Sequence, residues 1–258
     1  MGKVFLVGAG PGDPELLTHK AFRILQNADI VLHDSLVSEE ILRLIPARVE
    51  RMNVGKRRGY KLLTQQEINS LLVAAAGRHE SVIRLKGGDP LLFGRAAEEI
   101  QVLQEAAVEF EIIPGISAGF AAAASACVPL SDRAVASSVL FTTFSRSPKA
   151  AHVLRETLTS ETTVVVYMPG PNYSEVSNWL LEAGLPSATP CVLVSKASQA
   201  EQITKHATAV ELGSLEPLPA PTVLIVGRAV AADAIVAGGV DWLHEPTGER
   251  ISVETLIT

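Results

Sequence analysis

The segment VFLVGAGPGDPELLT, residues 4–18, runs from a short apolar stretch through a turn rich in glycine and proline into an amphipathic stretch. The apolar residues 4–7, closed by a glycine turn, predict a buried strand. An apolar stripe from Leu16 to Leu25 predicts a helix over residues 14–27, with Pro14 at its start. The segment therefore predicts a strand, a tight turn and a helix, which is the repeating unit of α/β sheets.

The same alternation continues along the chain. Further strands are predicted at residues 29–33, 81–85, 110–113, 138–142, 163–167, 191–194 and 222–226, with helices between them that include residues 64–77 and 94–106. Because helices join successive strands, we expect parallel sheets that bind ligands at the carboxyl ends of their strands. The length favours two α/β domains, which we place at residues 1–133 and 134–245, before a tail at 246–258.

Composition excludes some partners. The 258 residues carry 22 Lys+Arg and 28 Asp+Glu, a net charge of −6, which argues against a nucleic-acid partner held by bulk charge. The uncharged stretch 112–131 has the length of a membrane span, but prolines and glycines interrupt it, so a buried helix rich in alanine is expected and no membrane partner.

The cysteines and histidines indicate the redox compartment and whether a metal is bound. Cys127 and Cys191 form no CxxC pair, which favours a reducing cytoplasm over a disulfide-bonded protein. The six histidines show no ligand spacing, so no metal is predicted.

Two loops rich in glycine carry the strongest functional signal. The first, GAGPGDP at residues 8–14, departs from the dinucleotide pattern GxGxxG, because Asp13 replaces the third glycine and would repel a pyrophosphate. The second, Gly87-Gly88-Asp89-Pro90, also follows a predicted strand, and Asp89 supplies an acceptor for hydroxyl or cationic groups. Tight turns without a ligand remain the alternative for both loops.

The chain as a whole resembles the tetrapyrrole methylase family. The resemblance is carried by VGAGPGDPELLT (7–18), HDSLVS (33–38), VGKR (54–57), QEIN (66–69), RLKGGDPLLFGR (84–95), PGISAG (114–119), PLSDR (129–133), SSVLF (137–141) and VYMP (166–169). It implies two α/β domains with S-adenosylmethionine bound in the cleft between them, and a homodimer. It also implies C-methylation of a tetrapyrrole, with uroporphyrinogen III as the expected substrate and precorrin-2 as the product.

Matching positions imply the residues of the site. The cofactor contacts implied by the resemblance are Pro11, Gly87, Gly88, Asp89, Leu92, Ser117, Ala118, Met168 and Ala197. From residue type alone, an ordinary core position remains an alternative for Met168. The resemblance also implies Asp34 as the catalytic base and Lys56 as the general acid. From the sequence alone, Asp34 could equally be a solvated acid at the end of a strand.

Arginines are the candidate substrate contacts. Arg95 and Arg133 match arginines near the tetrapyrrole in the family, and a guanidinium binds a carboxylate through two hydrogen bonds. Residues 48–61 hold six cations, among them Arg57 and Arg58. Such a run is either a solvated loop or a positive rim for a substrate with many carboxylates.

Several positions depart from the family pattern. Ser35 stands where YDRLV has arginine, Ala96 replaces the glycine after FGR, and PLSDR replaces PLTHR. Methylation of another precorrin therefore remains an alternative. A nicotinamide-dependent oxidoreductase and a binding module without activity are the alternatives from other functional classes.

Overall fold

The computed structural model describes residues 1–55 and 63–230 as two five-stranded sheets with helices packed against them. The first sheet contains β1 (Lys3–Gly8), β2 (Ile30–His33), β3 (Glu50–Asn53), β4 (Ser81–Lys86) and β5 (Phe110–Ile113). The second contains β6 (Ser138–Thr143), β7 (Thr162–Tyr167), β8 (Pro190–Ser195), β9 (Ile203–Thr208) and β10 (Thr222–Val226). The helices are α1 (His19–Leu25), α2 (Glu39–Arg43), α3 (Gln65–Ala76), α4 (Ala96–Glu105), α5 (Ala118–Ser125), α6 (Pro148–Thr157) and α7 (Tyr173–Glu182).

The first sheet is parallel, as predicted, with the strand order β3-β2-β4-β1-β5. Its central strands β1 and β4 are almost completely buried, since helices cover both faces. The carboxyl ends of β4, β1 and β5 lie side by side, so the loops that follow these strands meet at one edge.

The second sheet is mixed, and the prediction of parallel strands is wrong there. Strand β6 is parallel to β7, whereas β10 is antiparallel to both β7 and β8, and β9 is antiparallel to β8. Residues 196–202 between β8 and β9 are too few for a crossover, which takes about a dozen residues or more. The chain therefore returns as an antiparallel strand.

Helix boundaries agree with the capping chemistry. Helix α3 begins after Thr64, whose side chain and that of Glu67 form the predicted capping box. The single helix predicted over residues 14–27 is wrong, because a 3₁₀ turn at Pro14–Leu16 precedes α1. The Thr18 hydroxyl accepts from the Ala21 amide at 3.2 Å and starts α1 anew. The stretch rich in alanine contains α5, and no helix of the described residues has the length and apolar character of a membrane span.

The two edge strands β3 and β9 were not predicted. Their side chains are exposed or half-buried and mostly polar, so both strands lack the continuous apolar pattern of the central strands. Arg51 lies in β3 and donates to the Leu42 carbonyl oxygen at 3.2 Å. This part of the cationic run is therefore a strand, and not a solvated loop.

Candidate active site

Three loops pack backbone against backbone at the carboxyl edge of the first sheet. Gly10 and Gly88 exchange two hydrogen bonds, with N–O distances of 3.1 and 2.8 Å. A Cβ atom on Gly115 would lie 2.3 Å from the Gly88 carbonyl oxygen, and one on Gly8 would lie 2.6 Å from the Gly115 nitrogen. Side chains at these positions would separate the loops, so the glycines allow the strand ends to form one concave surface.

Asp89 fastens two of these loops together. Its Oδ1 accepts from the Leu91 amide at 2.8 Å, and its Oδ2 accepts from the Gly115 amide at 3.1 Å. A carboxylate has about four acceptor positions, so capacity for a ligand remains beside these two bonds. The predicted ligand-binding aspartate is thus also the residue that holds the Gly87–Gly88 loop against the PGISAG segment.

The loop after β8 closes one side of this surface. Gln199 Nε2 donates to the Pro11 carbonyl oxygen at 3.1 Å, and the Asp13 amide donates to Ser198 Oγ at 3.3 Å. Ala197, a predicted cofactor contact, is buried immediately beside these residues. The glycine-rich loop of the first sheet and the VSKAS segment of the second therefore meet at the junction of the two sheets, where the family resemblance predicts the cofactor cleft.

Tyr167 makes a second connection between the two halves. Its hydroxyl lies 2.5 Å from Ser117 Oγ and accepts from the Gly119 amide at 2.8 Å. Burial raises the pKa of Tyr167, although the bonds to Ser117 and Gly119 act in the opposite direction. Met168 follows at the end of β7 with 61% of its surface exposed, which excludes the core position that its residue type allows.

Aromatic rings extend the cleft on the side of the second sheet. The rings of Phe93 and Tyr167 lie 5.1 Å apart, and Phe141 lies 6.3 Å from Tyr167 and 5.4 Å from Phe120. Phe93 and Phe120 are exposed by 43% and 54%. These rings come from four separate segments, so sequence spacing gave no signal for this apolar surface.

Asp34 lies directly after β2, where its amide donates to the Leu85 carbonyl oxygen at 3.1 Å. Its Oδ1 accepts from Arg84 Nη2 at 2.5 Å, and its side chain retains 29% exposure. Burial lowers the pKa of the neighbouring His33, whose Nδ1 lies 3.1 Å from the Asp34 carbonyl oxygen. The predicted base is therefore a partly exposed carboxylate in contact with a buried guanidinium.

A buried charged cluster of Arg84, Lys86 and Glu99 lies behind Asp34. Glu99 on α4 accepts from Arg84 Nε at 2.8 Å and from Lys86 Nζ at 2.9 Å, and all three side chains are at most 3% exposed. Burial and the charge of Arg84 lower the pKa of Lys86, whereas the carboxylates of Asp34 and Glu99 outweigh burial and raise that of Arg84. Sequence reasoning gave these residues no role; the only signal was two cations, two residues apart, in an otherwise apolar strand.

The predicted site residues divide into three groups. The predicted cofactor contacts follow the ends of five strands, with Pro11 after β1, residues 87–92 after β4, Ser117 and Ala118 after β5, Met168 after β7 and Ala197 after β8; Ala118 is the first residue of α5. Arg95 is exposed and binds Glu98 through two hydrogen bonds of 2.7 and 2.8 Å, and Arg133 is exposed in the segment before β6. Lys56, Arg57 and Arg58 lie outside the described residues.

The segments that carry the predicted cofactor contacts offer both polar and apolar groups. Loop backbone and the Asp89 carboxylate offer hydrogen-bonding groups on one wall, while Leu92, Met168 and Ala197 offer apolar contacts. In residues 1–55 and 63–230 no cluster of three histidine, cysteine or acidic residues is arranged to hold a metal ion.

Comparison with known proteins shows to which family this architecture belongs. The family model described as Tetrapyrrole (Corrin/Porphyrin) Methylases matches residues 3–213. The chain belongs to this family. It is 42% identical over 236 residues to the uroporphyrinogen-III C-methyltransferase of Paracoccus denitrificans, covering 90% of this chain and 82% of that protein.

Other relatives extend the comparison. The S-adenosyl-L-methionine-dependent uroporphyrinogen III methyltransferase of Arabidopsis thaliana chloroplasts is 43% identical, covering 98% of this tetrapyrrole methylase and 69% of the plant protein. The uroporphyrin-III C-methyltransferase of Thermus thermophilus, solved with S-adenosylhomocysteine, superposes with a TM-score of 0.76 at 36% identity, covering 89% of this chain and 99% of that one. Siroheme synthases are longer, and the chain covers 48% of the one from Psychrobacter.

Proposed function

We propose that this tetrapyrrole methylase transfers methyl groups from S-adenosylmethionine to carbon atoms of uroporphyrinogen III, with precorrin-2 as the product. The observation that carries the proposal is the close packing of the Gly8–Gly12, Gly87–Asp89 and PGISAG loops, with the VSKAS segment of the second sheet bound to the first of these loops. The similarity to two named uroporphyrinogen III methyltransferases over most of the chain supports the substrate.

The cofactor site is proposed at the glycine loops. S-adenosylmethionine supplies an electrophilic methyl group on a sulfonium. Pro11 and the Gly87–Gly88 backbone border its polar part, and Asp89 adds a negative charge that suits a cationic ligand. Leu92, Met168 and Ala197 supply apolar walls, while Ser117 and Ala118 begin the helix that Tyr167 holds in place.

Asp34 is proposed as the general base and Lys56 as the general acid. Methylation at a pyrrole carbon leaves a proton to be removed, and a carboxylate within hydrogen-bonding reach performs this step. Arg84 binds Oδ1 of Asp34, and the side chain is 29% exposed, so we propose that Oδ2 accepts the substrate proton. Lys56 lies outside the described residues, and its role stays a prediction.

The substrate is proposed to bind through its carboxylates and its pyrrole rings. Arg95 and Arg133 are exposed, and Arg57 and Arg58 belong to the cationic run that we predict as a positive rim. The Phe93, Phe120, Phe141 and Tyr167 surface offers apolar contact to the rings. Other precorrins share these features, so methylation of another precorrin is the alternative.

We propose a homodimer in the cytoplasm without a nucleic-acid partner. The family resemblance supports the dimer, and the net charge of −6 supports the absence of nucleic acid. Light scattering after gel filtration measures the mass: a dimer is expected, and a monomer at micromolar concentration would contradict this part. The domain boundary after residue 133 likewise stays a prediction.

Calorimetry and one substitution test the proposal. We expect S-adenosylhomocysteine to bind and NAD to produce no comparable heat. Asp34→Asn keeps the size of the side chain but removes proton acceptance, so the methylation rate should fall by about 10²–10⁴-fold while cofactor affinity is retained. NAD binding without S-adenosylhomocysteine binding would refute the cofactor, and parental turnover of the variant would refute the base.

A further inference from the structure

The contact between Arg84 and Asp34 joins an exposed acid to a buried, fixed cation. Arg84 lies on β4, the neighbour of β2, and its guanidinium is 2% exposed. Its Nη2 binds Asp34 Oδ1 at 2.5 Å, and its Nη1 lies 3.5 Å from the Leu32 and 3.4 Å from the Leu85 carbonyl oxygens. The two Nη atoms of the guanidinium therefore point to the end of β2, where Asp34, the proposed base, lies.

The other side of Arg84 is held by Glu99. Arg84 and Lys86 are two residues apart on β4, so their side chains project to the same face of the sheet. Glu99 on α4 bridges them through different oxygens, 2.8 Å from Arg84 Nε and 2.9 Å from Lys86 Nζ. Gln65 on α3 also approaches Glu99 Oε1, at 3.4 Å. A guanidinium bound on two sides and packed without solvent has no other orientation available.

The charges of this cluster also bear on Asp34. Arg84, Lys86 and Glu99 carry two positive charges and one negative charge, so the buried group leaves one positive charge unbalanced. Asp34 is the carboxylate that balances it. An unpaired buried charge is costly, and the cluster therefore favours Asp34 both ionised and in one position.

We infer that Arg84 is a positioning residue for catalysis: held by Glu99, it fixes the Asp34 carboxylate through Oδ1 and leaves Oδ2 for the substrate proton. This inference rests on the proposed role of Asp34. Arg84 is only 2% exposed and is therefore too buried to bind the tetrapyrrole, so its effect on the reaction passes through Asp34.

A double-mutant cycle tests this coupling. Arg84→Met removes the contact with Asp34 but leaves the Lys86–Glu99 pair intact, and kcat should fall about 10²-fold, as for a misplaced catalytic group, with KM and S-adenosylhomocysteine affinity within about twofold. In the Asp34→Asn background the same change should lower kcat by less than about twofold further. Arg84→Lys keeps the charge but cannot bridge two carboxylates in one plane, so its loss should be smaller than that of Arg84→Met.

Lys86→Met is the matched control. It removes the other buried cation from the same face of β4, yet Lys86 contacts Glu99 and not Asp34. Whatever loss it causes should be equally large in the parent and in the Asp34→Asn background. Equal losses from Arg84→Met in both backgrounds, or no loss in either, would overturn the inference.

Crystal structures separate this inference from the proposed activity, because the position of Asp34 does not require a substrate. The Asp34 carboxylate should leave its present position in Arg84→Met and keep it in Lys86→Met. An unmoved carboxylate in Arg84→Met overturns the positioning role even if the parent methylates uroporphyrinogen III. A parent that fails to methylate overturns the proposed function instead. If Arg84→Met does not fold, Arg84→Lys replaces it in the double-mutant cycle and in the structural comparison. The same outcomes would then support or overturn the inference.

Discussion

The Tyr167 hydroxyl lies 2.5 Å from Ser117 Oγ, and this contact joins the last residue of a second-sheet strand to the loop that starts α5. The same hydroxyl accepts from the Gly119 amide. Because Ser117 and Ala118 are proposed cofactor contacts, one phenol on the second sheet holds part of the site that the first sheet supplies.

Tyr167→Phe should therefore weaken cofactor binding. The change leaves the ring in place but removes both bonds and leaves the Gly119 amide without a partner, at a cost of about 1–3 kcal/mol. Part of that cost should appear as a loss of S-adenosylhomocysteine affinity of about 3–30-fold, measured by calorimetry. Tyr173→Phe is the control, since Tyr173 also accepts one backbone bond, from Leu218 at 3.1 Å, but lies on α7. Equal affinities of the two variants would contradict the role of Tyr167.

Asp89→Ala should separate the Gly87–Gly88 loop from Gly115. Two backbone amides lose their acceptor, and we expect cofactor affinity to fall by about 1–3 kcal/mol. Asp29→Ala is the matched control, because Asp29 also accepts from two backbone amides, Glu80 at 3.0 Å and Ser81 at 2.9 Å, at the opposite edge of the sheet. That variant should lose stability and keep its affinity. If Asp89→Ala binds S-adenosylhomocysteine as the parent does, the loop has a structural role only.

Arg95→Lys and Arg133→Lys should raise the KM for the tetrapyrrole and leave cofactor affinity unchanged. Each variant keeps the positive charge, so a higher KM would show that binding depends on the two parallel hydrogen bonds of the guanidinium. Arg43→Lys, at an exposed arginine that pairs with Glu40 on α2, controls for surface changes in general. Initial-rate kinetics at varied tetrapyrrole concentration measure the KM of each variant. KM values equal to that of Arg43→Lys would show that Arg95 and Arg133 do not bind the substrate.

The two cysteines should differ in reactivity. Burial raises the pKa of the Cys191 thiol to about 12, whereas Cys127 is exposed. Iodoacetamide at pH 8 should therefore label Cys127 alone in the folded protein and both residues in urea, as intact mass would show. A raised folded pKa favours the protonated folded state, so this thiol's contribution to stability is present below about pH 8.5 and is lost as the pH rises towards 12. Labelling of Cys191 without denaturant would contradict its burial.

Local sequence signals predicted four of the five strands of the first sheet and its two glycine-rich loops, but not the edge strand β3. The strands and the Thr64 capping box depend on neighbouring residues. Gly8 is required by a close backbone contact, and Gly10 and Gly88 by a positive φ of 72° and 68°. The direction of β10 and the edge strand β9 were missed because strand pairing in the second sheet depends on loop lengths and on partners distant in the chain.

The site depends on contacts between residues that are distant in the sequence, and these contacts could not be predicted. The sequence analysis assigns no role to Glu99, because only the packing of α4 brings it to Arg84 and Lys86. The aromatic surface likewise joins Phe93, in the loop after β4, to Tyr167 at the end of β7. Asp34 was identified by family resemblance, whereas its partner Arg84 was visible only in the structure.

The mass of the product formed from uroporphyrinogen III and S-adenosylmethionine tests the central claim most directly. We expect mass spectrometry to show a product heavier than the substrate by one methylene unit for each methyl group transferred, with the absorption of precorrin-2 and an equivalent yield of S-adenosylhomocysteine. Unchanged uroporphyrinogen III, in a preparation that binds S-adenosylhomocysteine and methylates another precorrin, would contradict the proposed substrate.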